Sequence, residues 1–221
     1  MNKLRFALFG CVVAVALASN AAFADGYLSA GVSAGTLGVG PELGFRFGES
    51  FGVRGNVGYL RFSHDQDVDD IKYDGKLSLL SVGAMADWYP LHGGLRISAG
   101  ARWNGSEIGL SARPNGSVTI GGTTYTAAEI GRLRGTIEAN AVAPVLTVGY
   151  AGDISAGFTV GVELGVMYQG SPKLTNLRTD GLLANDPTFQ VDLADEEERI
   201  ENKVDNYQLW PVAQLLLIYR F

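Results

Sequence analysis

Eight charged side chains stand at alternate positions within stretches that are otherwise apolar or rich in small residues. They are Glu42, Arg46, Arg54, Asp87, Arg96, Arg102, Glu163 and Arg220. Carboxylate and guanidinium groups that share the inside of a narrow structure must pair or stay hydrated, because burying an unpaired charge is costly. We therefore predict that this set forms a salt-bridged plug. The alternative is that the same groups line a gated or selective pore.

A catalytic site near His64 is not predicted. The residue lies in "RFSHDQD", with Ser63 and Asp65 as neighbours. Adjacent residues of a strand point to opposite faces, so Ser63 and His64 cannot readily form a nucleophile–base pair. No third group is identifiable that would orient such a pair, so no catalytic residue is assigned.

The sequence contains two partial motifs for ligand binding. The segment "DQDVDD" starts like a calcium-binding loop, but its sixth position is Asp70 instead of glycine and its twelfth is Lys76 instead of glutamate. The segment "GTLGVG" lacks the Lys-Ser/Thr pair of a phosphate loop. We predict no metal site and no cofactor. A solvated acidic loop is expected at 65–70, with loose divalent bridging to lipopolysaccharide phosphates as the alternative.

The N-terminus has the features of a secretory signal peptide. Lys3 and Arg5 precede an apolar run at 6–17, and Ala22 and Ala24 occupy the −3 and −1 positions before Asp25. This pattern predicts a cleaved segment at 1–24 and a mature domain at 25–221. Cleavage would remove the only cysteine and leave 15 basic and 23 acidic residues. An acidic chain of this kind is not expected to bind nucleic acid.

Apolar and polar residues alternate along most of the mature chain. In "FTVGVELGVMYQ", the residues from Phe158 to Tyr168 at every second position are large and apolar or aromatic, and those between them are small or polar except for Met167. Such a two-residue period is typical of strands. The other stretches with this pattern are 27–34, 39–47, 51–59, 79–89, 95–103, 143–150 and 207–221.

The connections between these eight strands predict an all-β, up-and-down antiparallel transmembrane barrel. Short links at 48–50, 92–94 and 152–156 alternate with long loops at about 65–76, 113–141 and 170–206, whereas the first link, 36–38, is short where a long loop is expected. The polar face carries glycine, serine, threonine and a few charges, but no lysine in mid-strand. We therefore expect the apolar face to meet lipid; a lipocalin-like barrel, with its apolar face inside, is the alternative.

Aromatic spacing and one helix signature add detail. Phe158 and Tyr168 are ten residues apart on one face. At about 3.3 Å per residue and a tilt near 40° this spacing gives roughly 25 Å, the height of a membrane barrel's apolar band. In the last long loop, Asp186 can cap a helix and Pro187 suits its first position. We predict a helix at about 187–203, which is solvated or, alternatively, packed over the barrel mouth.

Taken together, the "AFA" cleavage site, the loop rhythm and the terminal "LLLIYRF" resemble small Gram-negative outer-membrane β-barrel proteins of the opacity type and related uncharacterised barrels. The resemblance implies an outer-membrane location, contact with outer-membrane lipids and lipopolysaccharide, and insertion by the barrel assembly machinery with periplasmic chaperones. It also implies that Leu217, Tyr219 and Phe221 act as the C-terminal insertion signal.

The function expected from these features is a non-enzymatic envelope protein. It would contribute to envelope integrity, or to surface contacts with an unidentified extracellular ligand through its acidic loops. A narrow, porin-like channel for small or hydrophobic solutes is the second hypothesis, and a lipid-modifying enzyme is the third.

Overall fold

The computed structural model describes residues 26–68, 71–152 and 156–221, with the backbone alone at 64–68 and 71–74. The predicted signal peptide, including Ala22 and Ala24, and Asp25 lie outside the described residues. In chain order the strands are β1 Gly26–Gly35, β2 Gly38–Phe47, β3 Phe51–Val68, β4 Ile71–Trp88, β5 Leu95–Asn104, β6 Glu107–Pro114, β7 Val118–Ile120, β8 Thr123–Tyr125, β9 Leu133–Glu138, β10 Val142–Tyr150, β11 Gly157–Tyr168, β12 Lys173–Arg178 and β13 Leu209–Arg220. The helices are α1 Ala127–Ile130 and α2 Pro187–Val204.

Eight of these strands form a closed antiparallel barrel in the order β1, β2, β3, β4, β5, β10, β11, β13. The barrel closes where β1 pairs with β13, for example at Val32 and Leu217. Neighbouring strands are consecutive along the barrel wall, so the connectivity is up-and-down, and the predicted fold class is confirmed. Closure leaves no unpaired edge among these eight strands, as far as the described residues show, and a lipid environment requires such closure.

The two faces of each barrel strand differ sharply in exposure. Along β13, Val212, Gln214, Leu216 and Ile218 are buried, whereas the residues between them are exposed. The exposed side is apolar over the whole belt, reaching 77% exposure at Phe158. Soluble monomers rarely expose contiguous apolar patches larger than a few hundred Å². The apolar face is therefore the outer one, as predicted, and the lipocalin-like alternative is wrong.

Exposed aromatic residues lie at both ends of the apolar belt. Those near the short turns include Phe47, Phe51, Trp88, Tyr150, Phe158, Tyr219 and Phe221. Those near the long loops include Tyr59, Trp103, Tyr168 and Tyr207. At the short-turn end, neighbouring rings of β11 and β13 pack edge to face, with centroids 4.9 Å apart for Phe158 and Tyr219.

The barrel wall continues beyond the mouth on one side, which corrects the prediction of a loop at 65–76. β3 and β4 remain paired as far as Val68 and Ile71. β6 then continues β5 beside β4 without a shift in pairing. Ser81 pairs with Asn104, and Ser78, three residues earlier, pairs with Glu107, three residues later. β9 pairs with β6, and β12 with β9, so parts of 113–141 and 170–206 are also strands of this extended wall.

The remaining loop residues form a cap with its own apolar core. Helix α2 matches the predicted helix, and the side chain of Asp186 accepts hydrogen bonds from the backbone N–H groups of Thr188 and Phe189. The solvated interpretation of this helix is wrong, because Phe189 and Leu193 are buried. Their cluster includes Ile120, Tyr125 and Ile130, with Val118, Leu133, Leu177 and Leu183 at its margin.

A polar contact also holds the cap together. The Tyr125 hydroxyl donates a 2.5 Å hydrogen bond to Asp192 on α2, and this bond lowers the pKa of the Asp192 carboxyl. Neither described helix is both long enough and apolar enough to span a bilayer.

Candidate functional site in the barrel lumen

Arg54 is the centre of the lumen network, and all three of its guanidinium nitrogens donate hydrogen bonds. Its Nε donates to Asp87 at 2.9 Å, and its Nη1 lies 3.0 Å from Glu42 Oε2. Nη1 and Nη2 both contact Glu163, each at 2.8 Å, and Nη2 also donates to Ser98. The four charged groups come from four different strands, and the Arg54 side chain is only 3% exposed. One guanidinium therefore ties the barrel wall together across its interior.

Arg96 is the second cation of this layer. Its Nη2 lies 2.6 Å from Glu163 Oε2 and 3.9 Å from Glu42 Oε1. Thr147 adds a hydrogen bond from its hydroxyl to Glu163 at 2.8 Å. Charge-assisted bonds of this kind are stronger than neutral ones, and they offset the desolvation of buried ions only when the remaining polar atoms are also satisfied.

Arg102 lies closer to the long-loop end and is held by neutral partners. It donates to Asn56 Oδ1 at 2.6 Å and to the Ser81 hydroxyl at 2.8 Å. Gly83 makes room for it, because a Cβ at that position would lie 2.5 Å from Arg102 Nη1. The small residues on the polar faces of the strands therefore provide the space that the arginines occupy.

Arg46 and Arg220 close the short-turn end by binding backbone carbonyls. Arg46 donates to the carbonyls of Glu49, His92 and Gly93 and lies 3.7 Å from the centre of the Tyr89 ring. Arg220 donates to the carbonyl of Ala151 at 2.6 Å and to Thr159. These two arginines thus fix the turns, and they are not part of the ion pairs described for the three lumen carboxylates.

The long-loop end of the lumen is packed with apolar side chains. The buried members are Leu37, Met85, Ala143, Val145, Met167 and Val212, with Trp210 against them. The indole N–H of Trp210 donates to the carbonyl of Thr36 at 3.2 Å, which fixes the ring beside the β1–β2 turn. An apolar layer therefore lies directly above the charged layer.

Little space remains between these layers. The cavities within the lumen measure about 30 Å³ beside Arg96 and about 10 Å³ beside Gln214. Arg96 Nε and Gln214 Oε1 have no hydrogen-bond partner among the described residues. A cavity needs about 10–15 Å³ to hold one water, so each of these spaces is large enough for a single water beside one of the two residues. A larger cavity of about 60 Å³ lies above the apolar layer, beside Trp210.

All eight predicted interior residues lie on the lumen side, but only five of them make described ion pairs with one another. These five are Glu42, Arg54, Asp87, Arg96 and Glu163. Sequence reasoning missed the neutral partners, which are Asn56, Ser81, Ser98 and Thr147. Their signal was present, because each is a small polar residue on the same strand face as the charges.

The other motifs do not contribute to this site. Ser63 and His64 are successive residues of β3, and the side chain of His64 lies outside the described part. Asp65 and Asp67 belong to β3, whereas Asp69 and Asp70 are outside the described residues. Within the described ranges, no group of three or more histidine, cysteine or acidic residues is arranged to hold a metal ion.

Comparison with solved structures identifies the fold. The chain aligns with CarO2 of Acinetobacter baumannii at a TM-score of 0.60 and 24% identity, covering 88% of this chain and 98% of that one. CarO of the same organism aligns at 0.59 and 21% identity, with the same coverage. This chain shares the CarO barrel fold.

The other comparisons add little. A major outer membrane protein from Thermus thermophilus aligns at a TM-score of 0.47 and 18% identity, covering 89% of this chain and 99% of that one. No protein-family model matches the chain, and no curated protein matches it.

Proposed function

We propose that this chain is a non-enzymatic outer-membrane barrel with a closed lumen, and that its extended wall and cap form a rigid surface for contacts outside the cell. The proposal rests on the position of Arg54. Its side chain lies across the lumen and forms ion pairs with three carboxylates from three other strands. A conducting pore would need water in the place of this network and of the apolar layer above it.

The outer surface supports a membrane location. Apolar side chains cover the outward face between the two aromatic belts, with Val160 at 71% and Leu164 at 62% exposure. A β-strand needs about 9–11 residues to cross a bilayer, and the ten residues of β1 and the twelve of β13 meet that requirement. The long-loop end would then lie outside the cell and the short turns in the periplasm.

The cap supports a role in surface contacts. Its helix α2 carries six carboxylates and only two basic residues, Arg199 and Lys203. Three of the carboxylates, Asp192, Glu196 and Glu201, accept hydrogen bonds from Tyr125, Gly121 and Leu174. Asp195 and Glu198 are exposed, and the buried face of the helix holds them in place, so the chain presents an ordered acidic surface. A cationic partner is the class that this surface fits.

Site-directed labelling tests the proposed orientation. Leu182 in the cap is 81% exposed, and Leu91 in a short turn is 72% exposed. We expect Leu182→Cys to react with a membrane-impermeant maleimide on intact cells, and Leu91→Cys to react only after the outer membrane is permeabilised. The parent chain is the control, because its only cysteine, Cys11, lies in the predicted signal peptide. Labelling of Leu91→Cys alone on intact cells would contradict the orientation.

A further inference from the structure

The extended wall presents its outer face directly above the membrane. The pairing of β5 with β10 continues without a shift into the pairing of β6 with β9. Trp103 pairs with Val142, and Glu107, four residues later, pairs with Glu138, four residues earlier. Side chains alternate between the two faces along each strand. The residues that follow the lipid-facing positions of the barrel therefore stay on the outward side of the wall.

Above the exposed Glu107–Glu138 pair, the outward face is basic, although the chain as a whole is acidic. A groove of about 470 Å³ lies on it, lined by Lys76, Ser111, Arg132, Arg134, Thr136 and Arg178. The only salt bridge described for these four cations joins Arg134 to Asp180 at 3.2 Å, with both side chains more than 40% exposed. The groove thus combines four positive charges with two hydroxyl groups.

The base of the groove lies just above the lipid headgroups. Lys76 pairs with Ser63, four residues beyond Tyr59 of the long-loop aromatic belt. Four residues at about 3.3 Å each, with a tilt near 40°, correspond to roughly 10 Å above that belt. The headgroup region on each side of a bilayer is about 5–8 Å thick. The backbone at the base of the groove thus lies a few Å beyond the headgroups, a distance that long lysine and arginine side chains can span.

We propose that this groove binds phosphate groups on the headgroups of outer-leaflet lipopolysaccharide. Guanidinium groups bind phosphate oxygens in a bidentate manner, and basic residues near a membrane surface attract anionic headgroups. The proposal rests on the proposed membrane location. It assigns the groove to lipid, whereas the acidic helix α2 faces other partners.

Binding of purified lipid A tests this assignment. The probe is lipid A with both phosphates, presented in detergent micelles to the refolded full chain, beside lipid A from which the phosphates have been removed. For Arg134→Gln/Arg178→Gln we expect about 25-fold weaker binding of phosphorylated lipid A, from about 1 kcal/mol for each basic residue. The matched control is Arg199→Gln/Lys203→Gln, which removes the same charge from α2 and is expected to bind within about twofold of the parent.

A variant that is expected to bind more tightly keeps the test decisive even if the Arg134/Arg178 variant misfolds. In Asp180→Asn the amide oxygen still accepts the 2.6 Å hydrogen bond from the Arg132 backbone N–H, but the charge that engages Arg134 is gone. We expect this variant to bind phosphorylated lipid A several-fold more tightly, with no change for the dephosphorylated form.

The outcomes separate this inference from the proposed function. Equal affinity of the parent and the Arg134/Arg178 variant, or equal affinity for both forms of lipid A, would overturn the lipid site even if the protein fractionates with the outer membrane. Inorganic phosphate that competes at the same concentration as lipid A phosphate would also overturn it, in favour of a free anion. Fractionation away from the outer membrane would instead overturn the proposed function.

Discussion

Arg54→Leu is expected to lower the free energy of unfolding by about 3–5 kcal/mol, because removing one partner of a buried ion pair leaves uncompensated charge. Glu42 and Glu163 would keep Arg96 as an ion-pair partner, whereas Asp87 would lose the one salt bridge described for it. The measurement is urea unfolding in detergent micelles, followed by the shift in gel mobility between folded and heated barrel.

Two controls make the result specific. Arg199→Leu removes the same charge from a side chain that is 56% exposed, so its effect should stay within about 0.5 kcal/mol. Adding Glu163→Leu to Arg54→Leu removes one of the stranded carboxylates and should recover part of the loss. An Arg54→Leu barrel as stable as the parent would show that the lumen network does not hold the wall together.

Phe189→Ala is expected to open the cap while leaving the barrel intact. Phe189 is fully buried, and its ring packs edge to face on Tyr125 at a centroid distance of 4.8 Å. Truncating a buried phenylalanine typically costs about 3–5 kcal/mol. This cost is a large share of the stabilising free energy that an apolar cluster of this size can give. Limited trypsin digestion should then cleave within 173–203, at sites protected in the parent.

Val191→Ala is the matched control for the cap, since Val191 lies on the same helix but is 61% exposed. It should leave the digestion pattern unchanged. The folded gel mobility of the barrel should persist in both variants. If Phe189→Ala abolishes barrel folding as well, the cap and the barrel are one cooperative unit, and the account of an independent cap is wrong.

The barrel could be predicted from sequence because lipid imposes a strict hydropathy pattern on its strands. Along β11 every second residue from Phe158 to Tyr168 is apolar or aromatic and exposed, and Met167 is the one large apolar residue between them, since one side meets lipid and the other a narrow lumen. The same alternation of apolar and polar residues predicted which charged side chains face the lumen. Helix α2 could be predicted because Asp186 and Pro187 form a local start signal, and Phe189 and Leu193 recur at helical spacing.

The extended wall could not be predicted, for a reason that follows from its environment. Above the membrane the outward face of a strand meets water and headgroups, so Lys76 and Arg134 stand where lipid-facing strands carry valine or leucine. The hydropathy alternation that marks the barrel therefore fades, although the pairing continues. Pair register across β4, β6 and β9 is set by tertiary contact, which a single sequence does not display.

The same limit applies to the exact pairing inside the lumen. Alternation placed all eight charged residues on one face, but it did not distinguish Arg54, which binds three carboxylates, from Arg46, which binds backbone carbonyls. That difference depends on height along the barrel axis and on which strands are neighbours. Both follow from closure of the sheet.

The most direct measurement of the closed lumen is single-channel recording of the purified parent chain in planar bilayers. The salt-bridged layer around Arg54 and the apolar layer beside Trp210 predict that inserted protein gives no stable, repeatable conductance. A steady conductance that changes in amplitude or ion selectivity in Arg54→Leu would show that ions pass this layer, and it would contradict the account.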